Sequence, residues 1–160
     1  MSVARICMRE VDLADAQESA QAAAKRMLKR NVGTLIIVDE DNKPVGIVTD
    51  RDLMARVVAK GKDPGKVKVE AVMTHPLTVV DENTPIEDAL ALMSNKALRR
   101  LPIVDEQGKL AGVVSSDDFV GLLSEEISLI GHMMDKQAAR IDTIGPWRVK
   151  SRTPQSGGLQ

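Results

Sequence analysis

Aromatic side chains are nearly missing from this 160-residue chain, which has one phenylalanine, one tryptophan and no tyrosine. Proteins that hold single-stranded nucleic acid stack successive bases on several aromatic faces. That class is excluded, and any base bound here must lie against aliphatic side chains. Cysteine is as scarce: Cys7 stands alone, which rules out an internal disulfide and suits a reducing, cytoplasmic setting. No window reaches the ~20 consecutive apolar residues that a membrane helix needs. The opening Met1-Ser-Val-Ala-Arg-Ile6 lacks the apolar core of a secretory signal. Charge of one sign is not in excess either. The 22 Lys and Arg against 23 Asp and Glu leave a formal net charge of −1, with no general attraction for nucleic acid. His75 and His132 have no Cys or His at ligand spacing, so no metal site is expected. No Ser-His-Asp or Cys-His arrangement is readable, so an enzyme is not expected.

What the chain does contain is a sentence written twice. Leu35-Ile-Ile-Val-Asp39 through Gly46-Ile-Val-Thr49-Asp-Arg-Asp52 returns as Leu101-Pro-Ile-Val-Asp105 through Gly112-Val-Val-Ser115-Ser-Asp-Asp118. The offset is constant, because 105 − 39, 112 − 46 and 118 − 52 all equal 66. A fixed period marks one structural unit used twice. Each copy reads as a β-branched strand, a polar turn (Gln107-Gly108 in the second), a second strand, and a Ser/Thr/Asp cluster suited to capping a helix. Asp15–Arg30 reads as a helix with Ala20, Ala23, Ala24 and Met27 on one face, ended by Gly33. A short strand near Val11 and Leu13 precedes it, and a helix from Asp50 to Ala59 follows the first hairpin. Thr84-Pro-Ile-Glu87 has the form of a capping box with proline in the first helical turn. Lys60–Val67, rich in Gly, Pro and Lys, reads as a linker; its glycine spacing does not match a phosphate loop.

The paired strings, Gly followed by two apolar residues, Ser or Thr, two variable residues and Asp, resemble the tandem CBS domains named for cystathionine β-synthase. The resemblance spans about residues 3 to 124. It implies an α+β fold of two βαββα repeats, 1–64 and 65–124, packed through their sheets about a pseudo-two-fold axis. A helical extension is expected over 125–142 and a disordered tail over 143–160. Neither repeat has enough apolar surface for a robust core of its own. The resemblance also implies a regulatory module that binds an adenosine-containing ligand between the repeats, with AMP, ADP or ATP ahead of NAD and S-adenosylmethionine. It further implies a homodimer, and a regulated protein as partner. An interaction module without nucleotide binding is the competing reading.

Several residues are candidates for the ligand site under this resemblance. Asp52 and Asp118, with Thr49 and Ser115, would hold the ribose. Capping is their bland role, but capping alone does not require Asp three residues on in both copies. Val32, Gly33, Thr34 and Leu35 in one copy, and Leu101, Pro102 and Ile103 in the other, would read the adenine, with Val79 as a further wall. Arg99 and Arg100 are the best phosphate ligands, and Arg51 is another donor. Gly33 and Thr34 occupy the places of Arg99 and Arg100 in the first copy, so the two sites are not equivalent.

Overall fold

Two hairpins form where the apolar strands flank turns built by Asp39 and Asp105. In the second, Asp105 Oδ1 accepts from the backbone N–H groups of Gln107 and Lys109 at 2.9 and 2.8 Å. Gly108 takes φ +77° there, and Asn42, its counterpart 66 residues earlier, takes φ +63°. The computed structural model describes residues 1–143, with side chains described through residue 137. In chain order the elements are β1 (Leu13–Ala14), α1 (Ala20–Arg30), β2 (Thr34–Val38), β3 (Pro44–Thr49), α2 (Asp50–Leu53, running on as a π-helical turn, Met54–Val58), β4 (Val80–Asp81), α3 (Ile86–Asn95), β5 (Arg100–Val104), β6 (Leu110–Ser115) and α4 (Ser116–Thr143). The first sheet has the order β1-β2-β3 and the second β4-β5-β6, each with one parallel and one antiparallel pair.

Each sheet turns one face onto its own helices. Leu35, Ile37 and Val48 pack with Ala20, Ala23, Met27, Leu53 and Val57 in one core. Leu101, Ile103 and Val114 pack with Ile86, Ala89, Met93 and Phe119 in the other. Ile36 and Pro102 alternate onto the opposite faces, as strand geometry requires, and both are still buried.

The repeats exchange their opening segments. Val3, Ile6 and Cys7 belong to the second core, and Val69, Val72 and Met73 belong to the first. Met8 pairs with Val113 through hydrogen bonds of 2.9 and 3.0 Å, and its counterpart Thr74 pairs with Ile47 at 2.7 and 3.2 Å. Burying each fully covered valine contributes on the order of 1.5–2 kcal/mol. The exchange explains the glycine of the repeated string. A Cβ at Gly112 would lie 2.9 Å from the Met8 carbonyl oxygen, and one at Gly46 would lie 2.3 Å from the Met73 sulfur.

Three local expectations are corrected by these contacts. α1 begins at Ala20 rather than Asp15, because Ser19 accepts from the Ala22 N–H at 3.1 Å while Asp15 ties up the Gln17 N–H. It ends on Asn31, at φ +54°, rather than on Gly33. The Thr84 capping box does not form. α3 starts after Pro85 without a side-chain cap, and the Met1 carbonyl receives the Ile86 N–H at 3.0 Å instead. Met1–Leu122 make one compact unit, and the described residues from Leu123 to Thr143 fall in another. α4 carries the expected helical extension to Thr143, and the tail expected beyond it lies outside the described residues. Among the described residues, no helix is long and apolar enough to cross a membrane.

Candidate functional site

The two acids of the repeated string are anchored alike. Asp118 Oδ2 accepts from the Ser115 N–H and hydroxyl, both at 2.7 Å. Asp52 Oδ2 accepts from the Thr49 N–H at 2.9 Å and its hydroxyl at 2.8 Å, and Thr49 Oγ1 accepts in return from the Asp52 N–H at 3.1 Å. This is a reciprocal capping box, so capping does use an acid three residues on. The spacing by itself is therefore no mark of a ligand. The acids are told apart by their second oxygen. Asp52 Oδ1 is engaged by Arg56 at 3.1 Å, whereas Asp118 Oδ1 has no hydrogen-bond partner among the described residues.

Asp118 borders a cavity of about 310 Å³ between the repeats. The second repeat contributes Arg100, Val113, Ser115 and Asp117 to its wall. The first contributes Asn31, Val32, Gly33, Thr34 and Ile36, with Glu10, Val11 and Asp12 from the strand leading into β1 and Met8 from the exchanged arm. The structure thus brings together Val32, Gly33, Thr34, Arg100, Ser115 and Asp118, from both copies. Thr49, Arg51, Asp52, Val79 and Arg99 do not border this cavity. Leu35, Leu101 and Ile103 point into the two cores, and Pro102 is fully buried. Val11 is an apolar residue in this cavity's wall, and Val79 is not. Met8, Glu10, Val11, Asp12, Asn31, Ile36, Val113 and Asp117 are not among the sequence candidates for the site, and the placement of residues 8–12 follows from the arm exchange. The β-strand alternation would have flagged Ile36 and Val113 as facing the other repeat.

The cavity is acidic. Glu10, Asp12, Asp117 and Asp118 border it, against the single guanidinium of Arg100. Arg30 offsets part of this, bonding Asp12 at 2.8 Å and Glu10 at 2.9 Å. Its guanidinium pKa is raised, first by the hydrogen bond to Asp12 and then by that to Glu10. Thr34 Oγ1 is buried without a partner among the described residues, the kind of orphaned hydroxyl that costs ~1–3 kcal/mol.

The CBS domain family model matches this chain twice, over residues 3–59 and 69–125. The chain is 40% identical over 110 residues to the CBS domain-containing protein YhcV of Bacillus subtilis, covering 68% of this chain and 76% of that protein. It is 32% identical over 108 residues to Hypoxic response protein 1 of Mycobacterium tuberculosis, covering 68% and 75%. Among solved structures it resembles the CBS domain pair of protein MJ0100 in complex with 5′-methylthioadenosine and S-adenosyl-L-methionine. That likeness has a TM-score of 0.69 at 31% identity and covers 77% of this chain and 99% of the other.

Proposed function

This chain belongs to the CBS domain family, with two tandem repeats, and from that we propose that it is a regulatory module, not a catalyst, binding an adenosine-containing ligand in the cavity at Asp118. One observation carries the reading: a carboxylate whose Oδ2 is locked by Ser115 at 2.7 Å while its Oδ1 is uncommitted. Such a group is pre-oriented to accept hydrogen bonds from both hydroxyls of a ribose, each worth about 1.5–3 kcal/mol because the acceptor is charged. Val11, Val32, Ile36 and Val113 offer aliphatic faces to an adenine, and Asn31 offers an amide.

The charge of the cavity bears on which adenosine ligand fits. Two like charges about 4 Å apart repel by roughly 4 kcal/mol at an effective dielectric of about 20. Four carboxylates against Arg100 and a partly committed Arg30 therefore oppose a polyphosphate. AMP, with one phosphate for Arg100, and neutral or cationic adenosyl compounds fit better than ADP, ATP or NAD. The related pair solved with 5′-methylthioadenosine and S-adenosyl-L-methionine supports that order. Binding draws both repeats onto one ligand, and the exposed apolar residues Leu28, Met54 and Val58 along the groove between α1 and α2 support self-association as the means of reporting it.

A thermal-shift and calorimetric series of adenosine, 5′-methylthioadenosine, S-adenosylmethionine, AMP, ADP and ATP tests this. A fitting ligand at about a hundred times its Kd should add roughly 2.7 kcal/mol of stability, with ATP last in the series. A folded protein whose melting is moved by none of the six contradicts the assignment.

A further inference from the structure

The Asp52 half of the molecule has the same fold as the Asp118 half but a different occupant. Arg56, on the π-helical turn after α2, reaches three groups at once. Its guanidinium meets Asp52 Oδ1 at 3.1 Å and donates to the Val72 carbonyl at 2.7 Å and to the Thr74 hydroxyl at 3.0 Å. Both oxygens of Asp52 are thereby engaged, because its Oδ2 already serves Thr49. Val72 and Thr74 lie on the exchanged arm of the second repeat.

The 66-residue correspondence shows what this means. Residue 122 stands where Arg56 stands, and it is leucine, packed against the second core. Met8 stands where Thr74 stands, and Met8 borders the open cavity. Arg56 therefore ties together the acid and the arm that, in the other half, bound a space with nothing strung across it.

We infer that Arg56 is a built-in clasp that closes the Asp52 half-site, so the chain takes one adenosyl ligand rather than two. A ribose on Asp52 would have to displace a guanidinium that the Val72 carbonyl and the Thr74 hydroxyl hold in place beside Oδ1. Arg56 thus sets the stoichiometry, and the inference rests on the ligand reading given above.

Calorimetric titration with 5′-methylthioadenosine tests it. The native chain should bind one equivalent. Arg56→Leu, which installs the side chain of the counterpart position, should bind two, and Arg56→Leu combined with Asp118→Ala should return to one. If Arg56→Leu does not give a cooperative melt, Arg56→Gln removes the charge with less loss of polar contact and should also bind two. Two equivalents on the native chain, or one on a folded Arg56→Leu chain, overturn the clasp while leaving the Asp118 site standing. Absence of heat from native and variant chains alike, repeated with S-adenosylmethionine, overturns both.

Discussion

The two halves of this chain share a backbone and differ in what they do with it. Both acids cap their helix through Oδ2, and both sit beside an arm lent by the other repeat. Of the two, Asp118 alone keeps an oxygen without a partner among the described residues. The difference lies outside the repeated string, in Leu122 against Arg56, and in Glu10, Asp12 and Asp117 where the other half has Pro76, Thr78 and Arg51. Duplication preserves what folding needs, the glycine under the arm and the acid at the cap. The residues around the two acids are under no such constraint and have diverged.

The comparison can be broken most sharply at Asp118. Asp118→Ala should weaken adenosyl binding by about a hundredfold or more, as the loss of two charge-assisted hydrogen bonds requires. An unchanged Kd by calorimetry means the ligand does not use that carboxylate. The next largest effect should separate the two glycines. Gly112→Ala drives a methyl against the Met8 backbone, which is pinned by two hydrogen bonds, whereas Gly46→Ala meets the Met73 side chain, which can swing away. We expect a loss of roughly 2–3 kcal/mol for the first and about 1 kcal/mol for the second, read by denaturant unfolding; equal losses would mean that the Met73 side chain cannot swing away. The smallest effect concerns the ends of α1 and α3. Ala97 holds φ +52° where Asn31 holds +54°, and alanine is strained there while asparagine is tolerated. Ala97→Gly should therefore stabilise by about 0.5–1 kcal/mol, a rise of a few degrees in Tm, and Asn31→Gly by less.

Much of the fold was legible because it is local. The hairpins and the caps at Thr49 and Ser115 lie within short windows, where strand alternation and turn chemistry decide the outcome, and the constant offset repeats them; that Asp52 and Asp118 serve those caps was not read from the spacing. The site was legible only in part. Asp118, Ser115, Arg100 and Val32–Thr34 could be named from the repeated string and its flanks, and the resemblance implied a site between the repeats, but neither showed that Met8, Glu10, Val11 and Asp12 would join them. That grouping depends on Val3 and Val69 crossing over, a long-range exchange with no short-range mark. The same exchange gave Ile86 its acceptor from Met1 and made the Thr84 cap unnecessary. Arg56 was silent for another reason: an arginine four residues after an aspartate on a helix reads as a routine surface pair. Its importance comes from two further acceptors far away in sequence.

The crossing segments carry one more implication. The stretch of chain that was copied and the stretch that folds are out of phase, since the opening of each 66-residue copy completes its neighbour instead of itself. Two copies in one polypeptide satisfy that mutual debt within a single molecule. A lone copy could satisfy it only by lending its first residues to another molecule, so a one-repeat ancestor of this protein would have had to exist as an intertwined pair of chains.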